Sequence, residues 1–313
     1  MRKWGRGLIV AWVAGLAVLL VLPLLDTTFT RFVPVLQALW GGWFLLALPT
    51  LALLAWLRSW PALAVLVAAT AAGLLPVLAA GDDAEPAADG LELTVLAANV
   101  EYSQGDPQQV VDAVRRHSAD VLVLSEVEQP YLEQLRDLGL AGDLPHGWDH
   151  VPARAPAGTT ILSALPMAGA PDLADPHAYG FELPLASVDV DGTEVLVRGV
   201  HAYPPVPGSP TRWREELAAL DEWAESLPDD QLLVMAGDFN AARSHPGFRD
   251  LVDDLTIAPG PATRTWRDER WYPTFVGIDH VLARGLVPVA SGSFDLDGSD
   301  HDAVWARLAR AEP

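Results

Sequence analysis

The pattern of apolar and polar positions changes character near residue 80. From Leu8 to about Ala80 the chain is almost wholly apolar, with only Asp26, Arg31 and Arg58 charged. The stretches Leu8–Leu25, Val33–Leu57 and Pro61–Ala80 each approach or exceed the ~18 to 20 apolar residues that cross a hydrocarbon core, so three transmembrane helices are expected. Beyond Gly81 the apolar runs shorten and alternate with turn residues. Strands are expected at Leu91–Ala98, Val121–Leu124, Thr159–Ser163, Ala186–Val190, Glu194–Val200, Leu232–Ala236, Ile278–Ala283, Val287–Phe294 and Ala303–Leu308. Asp191-Gly192 is a hairpin signal between two of them. Helices are expected at Pro107–His117, with Val110, Val111 and Val114 at helical spacing, and at Pro130–Leu138, ended by Gly139. A third, Pro210–Leu227, carries Trp213, Leu217, Leu220 and Trp223 on one stripe, a pattern that marks a core face rather than a ligand-stacking one.

Between the two regimes lies GDDAEPAADG, an Ala/Pro/acid stretch without period, which reads as a linker. The expected division is therefore a transmembrane domain at 1–80, a linker at 81–90 and a second domain at 91–313. Arg2, Lys3 and Arg6 also give the first stretch the basic front of a secretory signal peptide, but it lacks a small-residue cleavage site and two further spans follow. Those three residues and Arg58 flank the spans on one side, whereas Arg31 in the first loop is offset by Asp26. The positive-inside rule then puts the amino terminus in the cytoplasm and, after three crossings, the second domain outside, in a multi-pass protein of the cell membrane. The absence of cysteine fits either compartment, because a domain of this size buries a sufficient core without disulfides.

The chemistry sits where the apolar runs end. Asn99 follows LTVLAA, Glu126 follows VLVLS, His201 follows VLVRGV, and Asp238 and Asn240 follow QLLVMAG; Asp279 and His280 lie in GIDHVLA, and Ser299, Asp300 and His301 in GSDHDAVWARL. Polar groups at the ends of buried strands emerge together on one rim of a sheet, so these clusters suggest a single site. Carboxylates, carboxamides and imidazoles, with no thiol, form the oxygen-rich set suited to Mg²⁺ or Mn²⁺ and to phosphate-ester chemistry. Glu126, directly after its strand, is the candidate principal metal ligand rather than Glu128 two residues on. Asn99 is placed to hold a metal-bound water or to fix Glu126 without adding charge beside a phosphate. On a plain strand Asp238 and Asn240, either side of Phe239, would both point into the site.

The order Asn99, LSE ending in Glu126, His201, GDFN at Gly237–Asn240, IDH at Ile278–His280 and SDH at Ser299–His301 resembles the endonuclease/exonuclease/phosphatase superfamily. That superfamily includes secreted deoxyribonucleases, abasic-site endonucleases, inositol polyphosphate 5-phosphatases and neutral sphingomyelinases. The resemblance covers roughly Leu91 to Leu308, including GTTILSALP at Gly158–Pro166. It implies an α/β fold, a four-layer sandwich of two packed mixed β-sheets flanked by helices. It further implies that Asp238 aligns or deprotonates the attacking water and that Asn240 holds phosphate or that water. His301 would donate to the scissile phosphate, Asp279 would orient and charge His301, and Asp300 would join Asn99 and Glu126 at the metal. His201 would serve as general acid or phosphate ligand, with His280 behind the site. The family's tyrosine before GTTILS is absent, Arg154 being the nearest polar candidate, and the special signatures of the abasic-site and inositol enzymes are missing. Arg154, Arg212 and Arg214 are further candidates to reach a phosphate.

Charge narrows the partners. Of 20 basic and 41 acidic residues, 5 and 1 precede Gly81, leaving 15 and 40 in the remainder, a formal −25. Such a domain repels long duplex DNA, whose binding is dominated by its phosphates, but not small or lipid-linked phosphoesters. The expectation is a Mg²⁺-dependent phosphodiesterase with a phosphoester substrate, bound to the bilayer through its spans. The alternatives are an extracellular DNA endonuclease and a catalytically silent membrane-anchored binding or sensor domain.

Overall fold

The computed structural model describes residues 3–27, 30, 32–81, 85–87, 90–170, 180–205, 210–268 and 273–312. Arg2, Arg31 and much of the expected linker lie outside them. The apolar region folds as α1 (Lys3–Val21), α2 (Phe32–Ala38), α3 (Trp40–Trp56) and α4 (Trp60–Leu78). Helices α1, with its short 3₁₀ extension, and α4 are each long and apolar enough to cross a membrane. The expected second span differs: it is broken into α2 and α3, bent by 61° around Leu39, and makes a third crossing only if the pair counts as one. The cause is local. Gly41 and Gly42 weaken the helix beyond the break, and a buried histidine from the second domain, His245, bonds the Pro34 carbonyl through Nε2 at 2.8 Å. Val13, Leu16, Leu20, Leu54 and Leu66 pack between the helices, and Trp40 Nε1 donates to the Leu20 carbonyl.

The second region contains two mixed sheets. The first has the order β10-β11-β1-β2-β3 and the second β4-β5-β6-β7-β9-β8, where β1 is Glu92–Asn99, β2 Val121–Ser125, β3 Thr159–Ser163, β4 Met167–Gly169, β5 Leu185–Val190, β6 Thr193–His201, β7 Leu233–Asp238, β8 Thr256–Ala258, β9 Asp279–Arg284, β10 Leu286–Asp295 and β11 Asp302–Arg310. Strand alternation decides the layers. Val95, Ala97, Val121 and Val123 point inward against Val197, Val234, Ala236 and Val281 of the other sheet, forming the central core. Their neighbours Leu96, Ala98, Leu122 and Leu124 point outward under α5 (Pro107–His117), α6 (Gln129–Asp137) and α7 (Leu140–Asp143). Leu196, Leu233 and Met235 do the same under α8 (Pro210–Ser226) and α9 (Pro246–Leu251), where Trp213 and Trp223 are packing residues as their spacing predicts. The result is the four-layer sandwich.

The crossover β1-α5-β2 is parallel, and α5 begins on a capping aspartate, Asp106, whose carboxylate accepts from Gln108 and Gln109 amides. Asp191 and Gly192 both take positive φ in the β5–β6 hairpin, as the dipeptide predicts. Strands β4 and β8 and helices α7 and α9 have no counterpart in the sequence pattern, because three to six residues are too short to display a period.

Candidate active site

Register places the site. His201, the last residue of β6, pairs with Asp238 at the end of β7, which pairs in turn with Asp279 at the start of β9, so three of the expected residues stand side by side in one row. Across the sandwich, Asn99 ends β1 beside Ser125, and Glu126 follows immediately. His301 enters from the turn before β11. Its backbone N–H donates to the Ser299 hydroxyl, which itself donates to the Asn99 carbonyl at 2.8 Å, so the SDH turn is stapled to β1.

The first-strand end binds the others together. The Asn99 amide nitrogen donates to Glu126 Oε1 at 3.2 Å and to Asp238 Oδ2 at 3.1 Å, joining one sheet to the other. Glu126 has φ +56°, a left-handed conformation that costs a non-glycine residue ~1–3 kcal/mol and is kept where the surroundings enforce it. Here the enforcing element is the loop after β1. Glu101, Tyr102 and Ser103 all have positive φ, the Tyr102 amide donates to Glu126 Oε2 at 3.1 Å, and the Ser103 amide donates to the Glu126 carbonyl. Glu128 points elsewhere and accepts from the Ala155 amide.

Asp238 and His301 meet at the centre. His301 Nε2 lies 3.7 Å from Asp238 and 3.8 Å from Asp300, while Nδ1 bonds Asp279 at 2.9 Å. Burial pulls the His301 imidazole down, but Asp279 and Asp238 outweigh it and raise its pKa to about 10, so it stands as an imidazolium. Burial raises the Asp238 carboxyl well above the carboxylate range, opposed by His301 and reinforced by Asp279. His201 is held down to about 3, by burial first and the positive His301 second. It is therefore a neutral ring, 3.8 Å from both Glu126 and Asp238, suited to hydrogen bonding rather than to acid catalysis at neutral pH.

Asn240 does not continue the strand. β7 stops at Asp238 and Asn240 turns into the left-handed region at φ +49°, where its backbone amide donates to Asp238 Oδ1 and its side chain to the Ala202 carbonyl. It still flanks Asp238, as expected, through a turn rather than through alternation. Of the further arginine candidates, Arg154 is exposed, Arg212 stacks over the Tyr203 ring, and Arg214 pairs with Asp26. His280 lies behind the row, stacked on Phe248, with Nε2 at 2.9 Å from the Ala241 carbonyl.

Two features escaped the sequence. One is the strut Thr265–Arg267. Thr265 Oγ1 accepts the Ile278 and Asp279 amides, the Asp302 amide donates to the Thr265 carbonyl, and Trp266 Nε1 donates to Asp300 at 3.1 Å, so this segment ties the IDH turn to the SDH turn. No period or flanking strand marks it. The other is Phe181, whose ring stacks on His201 with centroids 4.4 Å apart. A lone aromatic after a glycine carries no signal.

The donor set fits a divalent cation. Asp238, Asp279 and His301 present ligand atoms within 4.8 Å of one another, but as an imidazolium paired with Asp279 the His301 ring offers a cation no lone pair. Glu126 and Asp300 stand beside them, both raised chiefly by burial, and each repels the other. With His201 neutral and His301 the sole imidazolium among these residues, four clustered carboxylates are short of positive charge. Because Asp279 is committed to His301, Glu126, Asp300 and Asn99 remain as the candidate metal-holding groups.

The family described as Endonuclease/Exonuclease/phosphatase matches residues 96–301. None of the curated proteins matches the chain. Among solved structures, D. rerio TDP2 complexed with single-strand DNA product is 15% identical with a TM-score of 0.56, covering 69% of this chain and 98% of that one. An endonuclease/exonuclease/phosphatase protein from Beutenbergia cavernae is 22% identical with a TM-score of 0.52, covering 70% and 72%. At these identities the likeness establishes the fold.

Proposed function

Because the chain belongs to the endonuclease/exonuclease/phosphatase family, we propose that it is a Mg²⁺-dependent phosphodiesterase, held in the cell membrane, that hydrolyses small or lipid-linked phosphoesters. The observation that carries the proposal is the convergence of Glu126, Asp238, Asp279, Asp300 and His301 from both sheets at one mouth, with Asp238 and His301 only 3.7 Å apart. Asp238 accepts a proton from an attacking water in its ionised form, which the His301 imidazolium 3.7 Å away favours. His301 is already protonated and donates to the charge that develops on the phosphoryl oxygens, a role in which one donor is worth ~10²–10³ in turnover. Asp279 keeps that imidazole charged and aimed, Asn240 flanks the attacking water, and His201 donates from the opposite side as a neutral ring. Glu126 and Asp300, with Asn99 in support, would hold a metal ion, which would supply Lewis-acid polarisation of the phosphoryl group; Mn²⁺ suits the same oxygen donors.

In this proposal residues 1–80 anchor the protein, 81–90 connect, and 91–313 catalyse, with the catalytic part on the extracytoplasmic side. Contact between the two parts supports a substrate at the bilayer. Ala38 and Leu39, at the break between α2 and α3, pack against the cluster of Ala242, Val276 and Ile278, on which Trp266 also rests, and Trp266 bonds Asp300. The site is thus built against the helices that enter the membrane, and tethering raises the effective concentration of membrane-borne substrate. The −25 charge disfavours long duplex DNA.

The test is a direct competition. The full-length protein in neutral detergent with Mg²⁺ should cleave glycerophospholipids or bis-p-nitrophenyl phosphate, and degrade plasmid DNA slowly at physiological salt. Plasmid degradation far faster than either ester would favour the endonuclease, and inactivity on all substrates and metals would favour a silent sensor domain. A reporter enzyme fused after Pro313 should be active only when translocated; activity of a cytoplasm-only reporter would reverse the topology.

A further inference from the structure

A cavity of about 230 Å³ lies between the helical region and the catalytic part, and it is built of two unlike walls. One wall is apolar and belongs to the helices: Trp40 and Gly41 at the start of α3, and Leu74, Val77 and Leu78 at the end of α4. The other belongs to the catalytic part and carries Arg243, Ser244 and Arg264. Arg264 is the unusual member. Its Nη1 donates to the Pro261 and Thr263 carbonyls at 3.0 and 2.8 Å, and no carboxylate among the described residues pairs with it. Burial alone lowers its pKa. The guanidinium is half-buried and has no counter-ion among the described residues, so an anion in the cavity would pair with it.

Gly41 makes room for it. A Cβ at residue 41 would lie 2.9 Å from Arg264 Nη2, so the guanidinium rests directly against the backbone of α3 at this glycine. Asp279 also lines the cavity, but its carboxylate is engaged with His301 on the far side. The cavity therefore stands behind the catalytic row and not in front of it.

We propose that this cavity holds the headgroup of an anionic glycerophospholipid, its phosphate against Arg264 and its acyl chains along α3 and α4. The lipid fills a joint between the helices and the loop 259–265, which leads into the strut under Asp279 and Asp300. The proposal rests on the membrane placement of the helices and is independent of the chemistry assigned to the site.

The experiment is native mass spectrometry of the full-length protein in neutral detergent with a chelator, offered phosphatidylglycerol or phosphatidylcholine of identical acyl chains. One phosphatidylglycerol should be retained in preference to phosphatidylcholine. Arg264→Gln should lower that retention about tenfold, the scale of a lost charge-assisted hydrogen bond, and Arg264→Lys should restore part of it. Gly41→Leu should abolish it by filling the guanidinium's space. Thermal unfolding of each variant shows whether it is folded. Equal retention of both lipids, or an unchanged count in folded Arg264→Gln, would overturn the proposal. So would displacement of the lipid by millimolar inorganic phosphate, which would make free phosphate the occupant, or its loss in His301→Ala, which would place it in the catalytic mouth. Because the readout needs neither metal nor turnover, an inactive protein that retains the lipid leaves this inference standing, and an active one that does not retain it refutes this inference alone.

Discussion

Replacing Asp279 with asparagine separates charge from position in the catalytic pair. The Asp279 carboxylate is 3% exposed and 2.9 Å from His301 Nδ1, and asparagine keeps an oxygen able to accept the same hydrogen bond. Only the charge is lost. An ion pair at ~4 Å is worth about 4 kcal/mol at an effective dielectric of ~20, and a pKa unit is roughly 1.4 kcal/mol, so the ceiling is a fall of about three units. His301 starts at about 10, supported also by Asp238 and Asp300, so the variant imidazole should titrate near neutrality. The assay is the pH dependence of kcat/KM for bis-p-nitrophenyl phosphate at one fixed Mg²⁺ concentration, parent against variant. The sign is fixed: the protonated ring is the active form, so activity is lost as pH rises through its pKa, and the alkaline limb should move about two to three units toward acid. At pH 6 the two proteins should differ little. An unmoved limb, or a loss of equal size at every pH, would refute the assignment of Asp279 as the group that charges His301.

Three further outcomes follow from other parts of the molecule. Glu126→Gln should weaken the metal and regain activity at high Mg²⁺, since lost ligation is offset by mass action; a Mg²⁺ titration that never recovers turnover would count against Glu126 as a ligand. Gly237→Ala should cost more than about 3 kcal/mol or prevent folding, because φ is +138° and the new Cβ would lie 2.0 Å from the Val200 carbonyl; a wild-type melting curve would contradict it. His245, which joins Pro34 of α2 to the catalytic part, is lowered to about 4, by burial first. The unfolded chain therefore takes up its proton first as pH falls, stability is full above about 6.5, and roughly 1.4 kcal/mol is lost per pH unit down to about 4. In His245→Gln, denaturant titrations in detergent should show a shallower slope across that window, though not a flat one, since His201 and His280 are also buried and neutral; an identical slope would sink the idea.

Much of the fold is visible in the chain because its strands are buried on both faces or alternate cleanly, so runs such as VLVLS and LLVMAG announce both their existence and their ends. The candidate site residues are legible because each lies at one end of an apolar run, and register then sets His201, Asp238 and Asp279 in one row. What the chain does not display is anything fixed by contact between distant segments. The bend between α2 and α3 depends on His245, more than two hundred residues away, and a purely apolar stretch gives no hint of it. The left-handed turn at Glu101–Ser103 carries no glycine to announce it, and it is paid for by the bonds it makes to Glu126. Trp266 reads as one more loop tryptophan until its indole N–H is seen to hold Asp300.

The central claim is that one mouth of clustered carboxylates and histidines performs metal-assisted phosphoester hydrolysis. It is tested most directly by measuring bis-p-nitrophenyl phosphate turnover of the full-length protein across a Mg²⁺ titration, beside His301→Ala under the same conditions. The account predicts turnover that vanishes with chelator and returns with Mg²⁺ in the parent, and a variant slower by ~10²–10³ that no metal concentration restores. Turnover indifferent to metal, or near-parental turnover in His301→Ala, would contradict it.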